Sequence, residues 1–169
     1  MIDDENVTIF TPEETRLENH PLTSKRSGRT RHEMVLHDDP KTGMIVKYVR
    51  YTAGHPVVVH KHECGKGMFV LRGILHTEHG DFGPGSWIWW KPGSVMFHGA
   101  TQDEDVDVLF VTNQPFDIEY LGREIAPNEE FDPDNLLGAG LAPMASAPFF
   151  MPGETFFSPP AAVSPRPGA

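Results

Sequence analysis

The sequence predicts an all-β domain, a barrel or a sandwich, and three observations carry that prediction. Sixteen glycines and sixteen prolines are spread over 169 residues, a density that favours short strands joined by turns. Between these breakers lie short runs rich in β-branched and aromatic residues. No run shows sustained helical periodicity.

In chain order, residues 1 to about 30 are polar and charged apart from Val7-Thr8-Ile9-Phe10. That run reads as an edge strand, an arm over a neighbouring subunit, or part of a mobile tail. Met34-Val35-Leu36 leads into Asp38-Asp39-Pro40-Lys41-Thr42-Gly43, a turn by composition. Residues 44–51, Met-Ile-Val-Lys-Tyr-Val-Arg-Tyr, predict a strand. Gly54-His55-Pro56 breaks it, and Val57-Val58-Val59-His60 starts the next. Met68-Phe69-Val70-Leu71 ends at Arg72-Gly73, and residues 74–78 form a short element. Residues 79–85 read as a string of turns, and Trp87-Ile88-Trp89-Trp90 stops at Pro92-Gly93. Val95–His98, Val106–Val111 and Phe116–Tyr120 complete the strands.

Order is expected to decay after Leu121. Residues 138–169 are dominated by Ala, Pro, Gly, Ser and Phe, a composition that builds no core of its own. Phe149, Phe150, Phe156 and Phe157 are too apolar for a pure linker and are candidates to pack on the barrel or on a partner. The expected layout is an N-terminal arm over 1–33, a barrel over 34–125 and a C-terminal extension over 126–169.

Charge and composition exclude several roles. A formal charge of −10 argues against a nucleic-acid backbone as partner, which needs a basic footprint. No stretch approaches the roughly 18 apolar residues of a membrane helix. The acidic start, Met1-Ile2-Asp3-Asp4-Glu5, does not read as a secretory signal. Cys64 is the sole cysteine, so no intrachain disulfide forms and a cytoplasmic location is expected.

Six of nine histidines fall between His55 and His98. In a strand, residues i and i+2 share a face, so His60 and His62 project together. Arg72-Gly73 turns the chain back, Gly85 opens a further strand, and His98 follows Pro92-Gly93. Two adjacent imidazoles and a third from a distant strand make a facial three-nitrogen metal site with one open side. A single strand histidine is more often a surface or satisfied core residue, and it is the third histidine, framed by Gly and Pro, that favours metal.

At this point the residues resemble a family. Gly54, His60, His62 and Gly73 are similar to the first cupin motif, and Gly85, Pro92-Gly93 and His98 to a relaxed second motif. The stretch from Leu71 to Ser94 resembles cupin domains of the anti-sigma-factor type. It also resembles the small cupin dioxygenases that cleave 2,4'-dihydroxyacetophenone and acetylacetone. The resemblance implies a conical antiparallel jelly-roll barrel, the double-stranded β-helix, with irregular arms and a metal inside its wider mouth.

One departure bears on chemistry. The family's first motif usually carries a glutamate four or five residues after its second histidine, where this chain has Lys66 and Gly67. Three neutral imidazoles leave a metal its full double charge, which suits a substrate binding as a chelating anion. The resemblance therefore implies iron(II) on His60, His62 and His98, cleaving a C–C bond of a small β-dicarbonyl or hydroxyketone with O2. Zinc, manganese or nickel would instead support a lyase, isomerase or hydrolase. A non-catalytic metal-binding sensor is the third reading.

Glu78 is the candidate replacement carboxylate and catalytic group, against a reading as a turn-flanking surface residue. Glu63 points away from His62 and is expected in solvent. His55, His76 and His79 are alternative ligands: His55 and His79 rank below the trio, while His76 shares parity with Glu78, so both face the cavity or neither does; Cys64 reads as a small semi-buried side chain. Arg50, Arg72 and Tyr51 are candidates to orient an anion. The partners expected are a small-molecule substrate and O2, no nucleic acid, no membrane, and a second copy or more in a homo-oligomer built through an edge strand.

Overall fold

Alternation along a strand decides what each side chain meets, and in this chain it separates a dry interior from an aromatic exterior. The computed structural model describes residues 2–3, 7–23, 30–55 and 57–125. Its strands are β1 (Ile2–Asp3), β2 (Thr8–Ile9), β3 (Pro21–Thr23), β4 (Thr30–Asp38) and β5 (Ile45–Tyr51). There follow β6 (Val57–Lys61), β7 (Lys66–Arg72), β8 (Leu75–Thr77), β9 (Gly80–Phe82) and β10 (Trp87–Trp90). The last are β11 (Val95–Met96), β12 (His98–Ala100), β13 (Val106–Thr112) and β14 (Glu119–Ile125). One 3-10 turn, Leu17–Asn19, buries Leu17 ahead of β3.

The strands pair antiparallel. A six-stranded sheet runs β10-β7-β13-β5-β4-β3, and two three-stranded sheets run β11-β6-β14 and β12-β8-β9. β13 lies between β5 and β7, with Val108 opposite both Val49 and Val70. Met68, Val70, Leu75, Val106 and Val108 are each fully buried, and Val49, Trp90, Met96, Ala100 and Phe110 close the same core. Each such aliphatic side chain contributes roughly 1.5–3 kcal/mol by leaving water.

On β7, Lys66, Met68 and Val70 face inward while Phe69 and Leu71 are exposed. Outside, Trp87 and Trp89 stack with ring centroids 6.1 Å apart. They lie over backbone that only glycine leaves open: a Cβ on Gly67 would come within 2.2 Å of Trp87, and one on Gly65 within 2.6 Å of Trp89. Gly73 turns β7 back at φ +73°, where a Cβ would fall 2.0 Å from the Asp105 carbonyl oxygen.

The outer face of β13 is tied down by charge. Asp107 is 3% exposed and accepts from Arg50 Nε at 2.6 Å, Arg50 Nη2 at 2.9 Å and Arg72 Nε at 3.1 Å. These ion pairs join β13 to both neighbours, and Arg50 reaches on to Glu18 at 2.6 Å.

Several boundaries differ from those expected. The strand expected at Met34 begins at Thr30, and the string of turns after His79 contains β9. The run Val95–His98 splits into β11 and β12 around the buried Phe97. The final strand starts at Glu119, leaving Phe116 to pack on the core instead. The expectations for residues 126–169, including Phe149, Phe150, Phe156 and Phe157, lie outside the described residues. Among the described residues no helix is long and apolar enough to cross a membrane.

Candidate metal centre

The pairing of three short strands assembles the histidines. His60 sits on β6 opposite Met96 of β11 and Tyr120 of β14. His62 follows just past the end of β6, and His98 opens β12 opposite Thr77 of β8. The His60 ring centroid lies 4.9 Å from that of His62 and 4.9 Å from that of His98. One donor atom from each falls within 4.8 Å of the others. His60 and His62 are buried, at 5% and 1% exposed, and His98 is half-buried.

Backbone carbonyls orient two of the rings. His60 Nδ1 donates to the Val58 carbonyl at 2.6 Å, and His62 Nδ1 donates to the Asp117 carbonyl. With Nδ1 carrying the proton, Nε2 of both rings presents a lone pair, the form a metal needs. The Asp117 carboxylate braces the same turn, accepting from the amides of Glu63 at 2.9 Å and Cys64 at 3.3 Å. His98 lacks such a brace: its Nδ1 is buried with no hydrogen-bond partner among the described residues.

Aromatic rings wall the cluster. Tyr51 meets His98 edge-on at 5.4 Å, Phe116 lies 5.0 Å from His62, and Tyr120 lies 6.3 Å from His60. Burial pushes His62 down to about 4, with the nearby Lys66 charge adding to it. His60 and His98 are held well below the ordinary imidazole range by the same two causes. Neutral, inward-turned nitrogen donors are a set that fits a divalent transition metal.

Lys66 stands in this cluster. It is fully buried, and its Nζ lies 3.2 Å from His62 Nε2 and 2.5 Å from His98 Nε2. Desolvation drives its amine well below the usual lysine range. From sequence the residue registered only as a missing carboxylate. The signal that it points inward was the alternation Lys66, Met68, Val70.

Glu78 is placed apart from the three imidazoles. Its side chain is 6% exposed, with Oε1 accepting from Trp90 Nε1 at 2.6 Å and Oε2 from the Phe97 amide at 3.2 Å. Trp90 in turn packs 5.8 Å from His98, and Phe97 precedes His98 in the chain. A cavity of about 400 Å³, lined by Glu78, His79, Trp89, Trp90 and Lys91 among others, also borders Glu78 and Trp90.

The other candidates disperse. His76 Nδ1 pairs with Asp81 at 2.6 Å, the His79 side chain is 71% exposed, and His55 meets Thr52 at 3.4 Å. Glu63 is 72% exposed and pairs with Lys61. Cys64 is buried and lies in a second cluster with His62 and Asp117. Asp117 already uses its oxygens to brace the turn there. Arg50 and Arg72 are engaged by Asp107, whereas Arg31 acts on Tyr51, Tyr120 and His98 through its charge. Arg31 was not singled out from sequence, because its strand begins earlier than the hydrophobic pattern suggests.

A small antiparallel β-fold carrying three imidazoles from two sheets defines a cupin-type protein with a possible metal site. The chain belongs to the ChrR cupin-like domain family, whose family model matches residues 15–117. Solved cupin structures share the fold. A cupin-like protein from Thermotoga maritima is 24% identical over 55% of this chain and 77% of that one, with a TM-score of 0.50. A protein of unknown function with a cupin-like fold from Ralstonia eutropha is 16% identical over 72% of this chain and 79% of that one, at 0.55. An RmlC-like cupin protein from the same organism is 13% identical over 60% and 66%, at 0.52. A comparison with curated proteins finds no match. The fold hosts enzymes and non-catalytic modules alike, so function has to be argued from the site.

Proposed function

We propose that the chain is a metal-dependent cupin dioxygenase with iron(II) on His60, His62 and His98. Its substrate is a small β-dicarbonyl or hydroxyketone that binds as a chelating anion. The observation that carries this reading is the pair of carbonyl anchors, Val58 and Asp117, which turn two Nε2 lone pairs inward in a cluster that contains no carboxylate. Bound iron(II) would supply Lewis acidity toward two substrate oxygens and reducing power toward O2. For a β-diketone the balance is one O2 consumed and one C–C bond broken. The products are a carboxylic acid and an α-ketoaldehyde, which between them retain both oxygen atoms.

The chain's own residues bind and orient. Tyr51, Phe116 and Tyr120 hold the imidazole rings and keep water from them. Arg31, paired with Glu33 at 2.8 Å, adds positive potential on the side of His98 and favours an anionic ligand. Glu78 is a positioning residue, fixing Trp90 and the backbone amide before His98.

A second reading, a metal-binding module without catalysis, is favoured by the Lys66 amine among the donor nitrogens. The test is metal analysis of protein purified without oxygen, beside a His98→Ala variant, followed by an oxygen-electrode screen with β-diketones and hydroxyacetophenones. Iron near one equivalent, lost in the variant, with oxygen uptake, supports the dioxygenase. Zinc, manganese or nickel at the same site without uptake moves the reading to non-oxidative chemistry. Iron bound at the site with no turnover leaves the module.

A further inference from the structure

The Lys66 amine has hydrogen-bond partners only in His62 and His98 among the described residues. The side chain is enclosed: Nζ lies 5.0 Å from the centre of the Trp90 ring and 5.8 Å from that of Phe110, and no part of the side chain is exposed. The two atoms it reaches are the Nε2 nitrogens, which are also the atoms a metal would take. An imidazole nitrogen offers one lone pair in the ring plane. It serves an N–H donor or a metal, and not both. An ammonium donates N–H to both nitrogens, and a neutral amine still donates to His62, whose Nδ1 carries the proton and whose Nε2 can only accept.

We propose that Lys66 is a built-in competitor for the metal, occupying the Nε2 lone pairs of His62 and His98 until a cation displaces it. The inference rests on the metal-centre reading above and adds reversibility to it. A carboxylate at this position would add a donor and a negative charge. Lysine adds a rival for donors already present, so the metal enters at the cost of two hydrogen bonds and leaves more readily. His60 is the exception: its Nε2 makes no hydrogen bond with Lys66, and its Nδ1 is anchored to Val58. It is the imidazole free to capture an incoming ion first.

The test measures metal affinity directly, by competition of zinc or cobalt(II) against a chromophoric chelator. The proteins compared are the native chain, Lys66→Met and Lys66→Leu. Both substitutions fill the buried position with an apolar side chain and remove the N–H donors; leucine also excludes any thioether ligation. The expected result is binding tighter by on the order of tenfold in both variants. Weaker binding would overturn the proposal and make Lys66 a ligand. Unchanged affinity would overturn it as well, because displacement would then cost nothing. His98→Ala in the Lys66→Leu background separates the two claims. Affinity that survives this change sinks the three-histidine site itself. Affinity lost here, but equal in the native and Lys66→Leu proteins, sinks the competitor alone.

Discussion

Glu78 and Trp90, twelve residues apart, are joined by a 2.6 Å hydrogen bond from the indole Nε1–H to a nearly buried carboxylate. The second oxygen of Glu78 takes the Phe97 amide, so one side chain fixes both the ring beside His98 and the peptide that leads into it. Glu78→Ala strips two buried donors of their acceptor. A loss of about 2–6 kcal/mol is expected, from roughly 1–3 kcal/mol for each of the two unsatisfied groups. Glu78→Gln keeps an acceptor and recovers part of it. Urea titration followed by tryptophan fluorescence measures both, and equal stability of the Ala and Gln variants would contradict the role.

Acid should destabilise the metal-free protein in a defined window. His62 is held at about 4, and His60 and His98 lie well below their usual range. The unfolded chain's imidazoles take up protons near pH 6.5. Below that value the unfolded imidazoles bind more protons than the folded ones, so the stability they contribute is fully present above about 6.5 and lost as pH falls toward 4. The slope reaches about 1.4 kcal/mol per pH unit for each imidazole. Denaturant titrations at about pH 7, 6 and 5 would show it, and a flat profile would refute the neutral buried cluster.

Gly73→Ala should be among the most damaging single changes outside the site. The position needs φ +73°, and the added Cβ would meet the Asp105 carbonyl at 2.0 Å, a backbone atom with little freedom to retreat. Left-handed strain adds about 1 kcal/mol and overpacking about 1–3 kcal/mol. Gly67→Ala offers the contrast, since its Cβ meets only side-chain atoms, those of the exposed Trp87 and Trp89 rings. Thermal melts should show a large drop for the first and a small one, with altered fluorescence, for the second.

Asp107→Asn keeps the shape of the side chain and removes its charge from between Arg50 and Arg72. Because Arg50 retains Glu18 and Arg72 is 59% exposed, the expected cost is modest, about 1–3 kcal/mol. Metal binding should be untouched, because the residue faces away from the histidines. A variant that loses metal at full stability would show coupling through β13 that the ion pairs do not explain.

Much of the fold was legible because strand alternation and Gly/Pro breaks act locally. Val57–His60, Val106–Val111 and the Trp87–Trp90 run all follow from it. The approach of His60, His62 and His98 was legible from parity and from turns at Gly73 and Gly85. Hydrogen bonds between distant segments were not. Nothing near His62 in sequence indicates that the Asp117 carbonyl will hold its Nδ1. Lys66 was misjudged in kind: a residue absent from a ligand motif was read as a gap, when a buried strand position must be filled by something. Glu78 looked like a turn residue because its partners, Trp90 and Phe97, arrive from 12 and 19 residues further along the chain.

The register of β13 also has a bearing on time. Leu109 pairs with Tyr48 on one side and Phe69 on the other, and His62 waits for a carbonyl 55 residues further along. While the chain is being synthesised, the six-stranded sheet lacks its central member until Thr112 has emerged, and His62 has no anchor until Asp117 follows. Pairings this distant in sequence place folding in the slow, millisecond-to-second regime of all-β proteins. The histidine cluster is thus a late product of the nascent chain. A ribosome-bound fragment ending before Asp117 should capture metal poorly, even though it already carries all three histidines.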